Sequence, residues 1–418
     1  MKVLHIATSV GSQSASYRIH KALRSIGVDS LVYVNTTAAS IKDDFVISSS
    51  GKIKKAINLS KLMLELFFIN FTHNISPYSF GIISSMDKEL IIKTKPDIIN
   101  LHWICGTFIS ISDMEFLSKY KIVWTLHDSW AFTGGCHIPF ECKKYILGCE
   151  NCEQIKNDGV FDVTRYIFEK KKLYYTPNDF KCIIVTPSRW MKNCAQSSLL
   201  LKNKTVVHIG NCLNTTSFKP IEKHWARSLL NINIDKKVII FGAVDAMSNI
   251  NKGFAYLQRA IKYLYCNNLI DNLEIIIFGS NEPKNKPDFG YKTKYVGHLY
   301  DDVTLNILYA AADATIVPSK SENLPNVIME SMAVGTPCVA FNIGGIADMI
   351  DHQFNGYLAR PYNTEDLANG IEFVLRDRKQ WKKLSDNARD KIVKNYDSYV
   401  IANKYKALYE NILFENTI

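Results

Sequence analysis

Ala314-Thr-Ile-Val-Pro318-Ser-Lys-Ser-Glu322-Asn-Leu-Pro-Asn-Val-Ile-Met-Glu330-Ser-Met-Ala-Val-Gly335-Thr-Pro-Cys-Val-Ala-Phe341 carries three elements in succession. A β-branched run ends at Val317, a loop of turn-forming residues follows, and an apolar-periodic segment then closes at Gly335 and Pro337 before a second buried run. Pro325 suits the first turn of the helix and Asn323 its cap, which sets the start near Leu324. Two strands joined by a crossover helix are the building unit of a parallel sheet.

The same rhythm extends along the chain. Strands are expected at residues 2–7, 30–34, 97–102, 121–127, 181–186, 237–243 and 273–279, with helical patterns between them. Val238-Ile-Ile-Phe241 and Ile275-Ile-Ile-Phe278 are apolar on both faces, as strands covered by helices on either side must be. The fold class is therefore α/β, with two doubly wound, Rossmann-like domains at 1–210 and 211–395. A helix within 396–418 is expected to pack back on the first domain. Ligands of such sheets sit beyond the carboxyl ends of the strands, so the natural site is a cleft between the domains.

With 418 residues, 47% hydrophobic and 22% charged, the chain is neither a mini-protein nor disordered. Its net charge of +10 is uneven: residues 1–208 hold 26 Lys/Arg against 17 Asp/Glu, and the remainder 24 against 23. An anionic lipid surface, nucleic acid or a merely solvated lysine-rich face would each fit that excess. No basic module interleaved with aromatics occurs, so nucleic acid is not an expected partner. The start, Met1 to Ala7, lacks the apolar core of a signal peptide, and the apolar stretch from Leu62 to Phe71 is far short of the roughly 20 residues of a membrane span. A cytoplasmic protein is expected. Lys52 to Phe71 joins lysines to large apolar residues. It reads either as an ordinary core helix or as one lying in a membrane interface, and the basic excess favours the second.

The amides around Asn323 to Asn326, at a helix start, would seat a diphosphate, with Glu322 before the helix and Glu330 in its second turn. Spacing alone is weak: Glu274 and Glu282 are equally far apart, with no helix terminus between them. The run from Ser321 to Ala340, followed by Gly344-Gly345, resembles the Glu-x7-Glu segment of retaining glycosyltransferases of family 4, which have the two-domain GT-B fold. Lys252-Gly253-Phe, Tyr295-Val-Gly-His and Tyr309-Ala-Ala-Ala-Asp313 are similar to further positions of that family.

The resemblance implies a reaction and its residues. Glu330 would bind the ribose of a nucleotide-sugar donor, Glu322 the hydroxyls of its sugar, and Lys252 the diphosphate leaving group. Asn323, Leu324 and Pro325 would complete the donor site, and Gly11, in a loop like the family's first Gly-rich loop, would join them. His127, in Trp124-Thr-Leu-His-Asp128, would touch the donor sugar, while His102 and Trp103 would line the acceptor side. Catalytic weight would rest on His127, Glu322 and Lys252. Many members carry an Arg shortly before the Lys, and residues 242–251 have none; amides near Met247 to Asn249, or Gly11, would take its place. No Asp-x-Asp occurs, so no cofactor is expected for catalysis. The acceptor would be a lipid-linked saccharide, in bacterial O-antigen, capsule or exopolysaccharide synthesis, with the enzyme peripheral at the inner face of the membrane. The alternative is a nucleotide-sugar epimerase of related fold.

Cys136, Cys142, Cys149 and Cys152 are four of the chain's ten cysteines. In a reducing compartment such a density reads as a structural zinc site shaping the loop beside His127, as reduced core thiols, or as a redox pair.

Overall fold

A computed structural model of the chain describes residues 1–37, 41–49, 52–71, 77–155, 161–177, 180–242, 247 and 249–414. It divides into two compact units, one formed by Met1–Asn211 with Ile401–Ile418 and the other by Cys212–Val400.

The first unit is built on a seven-stranded parallel sheet of β1 (Lys2–Val10), β2 (Asp29–Thr37), β3 (Val46–Ser48), β4 (Ile98–Leu101), β5 (Ile122–Thr125), β6 (Cys182–Thr186) and β7 (Val206–His208). Their order is β3-β2-β1-β4-β5-β6-β7, so the winding reverses at β1. Every residue of β4 and β5 is buried, which is why both read as apolar runs. The helix Ser398–Phe414 closes this unit. Tyr409 Oη accepts from Asn100 Nδ2 at 2.7 Å, Thr125 Oγ1 donates to Asn100 Oδ1 at 3.0 Å, and Tyr405 Oη lies 3.2 Å from Thr125 Oγ1. Buried polar groups here satisfy one another, fixing the last helix to the middle of the sheet.

The second unit holds six parallel strands: β8 (Lys237–Gly242), β9 (Leu273–Phe278), β10 (Lys292–Tyr295), β11 (Ala314–Val317), β12 (Cys338–Phe341) and β13 (Gly356–Ala359). The order β10-β9-β8-β11-β12-β13 reverses at β8. Asp313 pins the start of β11 to β8: its carboxylate accepts from Val238 N at 2.8 Å, Arg227 at 2.7 Å and Lys223 at 2.7 Å. Arg227 is buried and also donates to the carbonyls of Ala311, Ile234 and Lys236, so the charge is not stranded. Asp313 is thus a structural anchor.

The helix within the opening stretch starts later than the sequence suggests. It spans Asn326–Ala333, and Pro325 is its N-cap, extended at φ −70° and ψ 124°. The Pro325 carbonyl accepts from Ile328 N and Met329 N. Proline disfavours helical backbone at the residue before it, so Leu324 stays in the loop and Asn323 is not the cap.

Candidate active site

In each sheet the strand order reverses where two neighbouring strands send their loops apart, and the expected site residues follow those strands, except His127, which follows the next strand of the first sheet.

In the second unit Lys252 follows β8 and Glu322 follows β11, the pair flanking the reversal. Lys252 Nζ donates to Glu322 Oε1 at 2.7 Å; the side chains are 26% and 13% exposed. The two loops are bound together by backbone as well. Lys320 N donates to Asn251 O at 2.8 Å, and Asn251 Nδ2 to Ser321 O at 2.9 Å. Two glycines make the approach possible: a Cβ on Gly253 (φ 71°) would lie 1.9 Å from Pro318 O, and one on Gly344 (φ 52°) would lie 2.0 Å from Glu322 O. Gly345 N donates to that same Glu322 carbonyl at 3.0 Å. Backbone at both positions sits in the region that favours glycine, and any side chain would separate the loops.

Glu330, on the helix Asn326–Ala333, is buried, and Tyr309 Oη donates to its Oε2 at 3.1 Å. Tyr309 therefore orients the carboxylate, a role that spacing could not reveal because the tyrosine lies on another helix. Lys252, Glu322 and Glu330 belong to one unit, with Asn323, Leu324 and Pro325 on the chain between the two glutamates. The stretch expected to supply a substitute phosphate contact, Met247 to Asn249, includes residue 248, which lies outside the described residues.

In the first unit Gly11 follows β1, His102 and Trp103 follow β4, and His127 follows β5. Gly11 O accepts from Ser14 N at 3.0 Å and Ser14 Oγ at 2.9 Å, turning the chain into the helix Ala15–Ser25, and the space where a Gly11 side chain would stand is open. His102 and His127 are brought together: His102 Nδ1 lies 2.9 Å from His127 Nε2, the rings stacked at 5.2 Å. On its other side His102 Nε2 lies 2.9 Å from Nδ1 of His5, a buried residue of β1 that the sequence did not single out. Burial holds His5 and His102 well below the usual imidazole range; His127 is held at about 4 by burial, which the Asp128 carboxylate offsets only partly. All three rings are neutral near pH 7.

Trp103 Nε1 donates to Asp128 Oδ2 at 2.8 Å, and His137 Nδ1 lies 2.6 Å from the same oxygen. Burial alone would raise the Asp128 pKa, but His137 and the Trp130 amide, 2.9 Å away, hold it below the ordinary carboxylate range. His137 Nε2 lies 2.9 Å from Ser79 Oγ, completing a Ser-His-Asp arrangement. Ser79 and His137 are both only 5% exposed, so the hydroxyl is not presented to a substrate and the array braces the loop beneath Trp103. Among the described residues, a small cavity is lined by His102, Trp103, His127, Asp128 and Trp130 with their neighbours.

The four clustered cysteines share one neighbourhood, each near enough to the others to interact electrostatically. Cys136 and Cys149 turn into the core with Phe132 and Tyr145, while Cys142 and Cys152 are half-buried. Burial pushes the Cys136 thiol up, and that of Cys149 to about 12, so both pack as small apolar side chains. Among the described residues no group of three or more His, Cys, Asp or Glu could hold a metal ion.

Residues 227–391 match the family of glycosyl transferases group 1. The chain is 29% identical over 366 residues to N-acetyl-alpha-D-glucosaminyl L-malate synthase of Bacillus anthracis, covering 85% of this chain and 86% of that one. It is 31% identical over 162 residues to UDP-Gal:alpha-D-GlcNAc-diphosphoundecaprenol alpha-1,3-galactosyltransferase of Escherichia coli, covering 37% and 41%. Sucrose-phosphate synthase of Thermosynechococcus elongatus superposes with a TM-score of 0.69 at 17% identity over the whole of both chains, a likeness of fold. Two reversing parallel sheets, the matched segment spanning Lys252, Glu322 and Glu330, and these relatives together make the chain a glycosyltransferase of GT-B architecture.

Proposed function

We propose that this glycosyltransferase belongs to family 4 and moves a sugar from a uridine-diphosphate donor to a lipid-linked saccharide, with retention at the anomeric carbon, in bacterial surface polysaccharide synthesis. The observation that carries the reading is the Lys252–Glu322 pair, 2.7 Å apart at the strand-order reversal and on the same unit as Glu330. In a nucleotide-sugar the sugar hydroxyls and the diphosphate are adjacent, and a cation beside a carboxylate matches that adjacency. The Escherichia coli relative's name supplies both the uridine donor and the diphospho-undecaprenol acceptor.

On this reading Lys252 exchanges Glu322 for the diphosphate when donor enters, Glu322 turns to the sugar hydroxyls, and Glu330, held by Tyr309, takes the ribose. The acceptor hydroxyl oxygen bonds the anomeric carbon on the face from which phosphate departs. The bond between the anomeric carbon and the bridging phosphate oxygen breaks, its electron pair leaving with the nucleoside diphosphate, and the acceptor's proton passes to a leaving phosphate oxygen. Retention through a glycosyl-enzyme would need a free nucleophilic carboxylate. Asp128 is instead engaged by Trp103, His137 and the Trp130 amide. Charge developing on the phosphate is met by a fixed cation, and no metal is assigned a part.

The helix Lys52–Phe71 is assigned to the membrane face. Glu65 turns inward and accepts from Phe80 N at 3.1 Å, while Ile57, Leu59, Met63, Leu64, Leu66 and Phe67 are 41–64% exposed. The side chains of residues 52–55 and 68–71 lie outside the described set. No helix among the described residues is long and apolar enough to cross a membrane, so attachment would be peripheral, at the cytoplasmic face.

The test is a panel of nucleotide-sugars with polyprenyl-diphosphate saccharides, with the product's anomeric configuration read by NMR. Transfer from a UDP-sugar with retention is expected. Inversion, or equal turnover of the donor with and without acceptor, would overturn the proposal.

A further inference from the structure

His5, His102 and His127 form a chain of three imidazoles running from the core to the loop after β5, linked by two nitrogen–nitrogen contacts of 2.9 Å. The rings of His5 and His102 stack at 5.1 Å and 26°, those of His102 and His127 at 5.2 Å and 18°. A neutral imidazole carries one proton, so His102 can donate at only one of its two contacts and must accept at the other. The two contacts are therefore coupled, and only two arrangements exist.

In the first, His102 donates from Nε2 to His5, accepts at Nδ1 from His127, and forces the proton of His5 onto Nε2. That nitrogen is buried and has no hydrogen-bond partner among the described residues, so an N–H would be stranded in the core. In the second, His5 Nδ1–H donates to His102 Nε2, His102 Nδ1–H donates to His127 Nε2, and the buried end is a bare lone pair. Stranded buried N–H groups are the rarer defect.

We infer that the blind end at His5 sets the direction of the whole chain, so that His102 acts as a positioning residue which keeps the proton of His127 on Nδ1 and makes His127 a hydrogen-bond donor to a sugar oxygen. This deepens the proposed function, on which the sugar contact of His127 rests. It assigns His127 the duty of a neutral donor, whereas a general base would need an accepting nitrogen turned toward the substrate. The low titration range of all three rings agrees, since a charged ring would donate at both nitrogens.

The experiment is long-range proton–nitrogen NMR on protein labelled with nitrogen-15 histidine, which distinguishes a protonated from a bare ring nitrogen without turnover. Wild-type protein is expected to show His127 and His102 both protonated on Nδ1. His102→Phe removes the donor and should give His127 a mixture of tautomers, with turnover of the sugar donor lowered about tenfold. His102→Asn, which restores an N–H near the position of Nδ1, should return His127 to Nδ1–H and recover most of the rate. His5→Phe should leave His127 on Nδ1–H, because His102 then becomes the blind end, and it controls for loss of packing. Protonation of His127 on Nε2 in the wild type, or a flip in His5→Phe, would overturn the relay. If the tautomers behave as expected while turnover is unchanged in His102→Phe, the relay stands and the sugar contact of His127 falls.

Discussion

Replacing Lys252 by Met separates the structural from the chemical work of its ion pair. Surface pairs contribute about 0–1 kcal/mol and breaking a buried one costs about 3–5 kcal/mol. Lys252 and Glu322 are 26% and 13% exposed, nearer the surface case, so losing the cation should destabilise the second unit by about 1 kcal/mol. For a unit of this size that is about 2–4 °C in Tm. A fixed group stabilising transition-state charge contributes about 2.7–4 kcal/mol, so turnover should fall about 100- to 1,000-fold. At an assay temperature well below Tm the folded fraction is unchanged, and the two losses are read independently by scanning calorimetry and by release of nucleoside diphosphate. Lys252→Met with Glu322→Gln removes the stranded carboxylate charge, so its Tm should recover while turnover does not. Turnover of Lys252→Met within about threefold of wild type, or recovery of both quantities in the double variant, would show that the pair only braces the loops.

Gly344→Ala should cost about 2 kcal/mol or more in urea unfolding and lower turnover, since the new methyl would stand 2.0 Å from Glu322 O at a φ of 52°; an unchanged midpoint would contradict the packing. The buried histidines set a pH dependence. His20 and His127 titrate at about 4 in the folded chain, because burial lowers them against the pull of Asp43 and Asp128, and at about 6.5 when unfolded. The unfolded chain therefore binds more protons between pH 6.5 and 4. Stability present above 6.5 is lost as pH falls through that window, each such imidazole adding a slope of up to about 1.4 kcal/mol per pH unit. Urea midpoints equal at pH 7.5 and 5 would refute it. Leu59→Glu with Met63→Glu should abolish co-sedimentation with anionic liposomes and spare turnover of a soluble acceptor analogue; retained binding would remove the helix Lys52–Phe71 from the membrane face.

The central strands of both sheets were legible because burial on both faces demands continuous apolar runs such as Ile275-Ile-Ile-Phe278. The strands that escaped notice, β3, β7, β10 and β13, are the four sheet edges, each three or four residues long. An edge strand pairs on one side only and meets solvent, so β10 reads Lys-Thr-Lys-Tyr and carries no apolar signal. Lys252, Glu322 and Glu330 were visible because they stand in short, punctuated loops and a capped helix. Tyr309, His5 and His137 act through contacts between distant segments, and nothing in local spacing announces those. The cysteines show a further limit: they stay close together in the fold, yet Cys136 and Cys149 are buried while Cys142 and Cys152 are half-buried, a difference that spacing does not announce.

The donor site is tested most directly by isothermal titration of UDP and UDP-sugars into the wild-type protein and into Glu330→Gln. Saturable one-to-one binding to the wild type, weakened at least tenfold in Glu330→Gln while the Tm without ligand stays within a few degrees, is the expected result. Binding of equal strength in both proteins would place the nucleotide elsewhere and contradict the account.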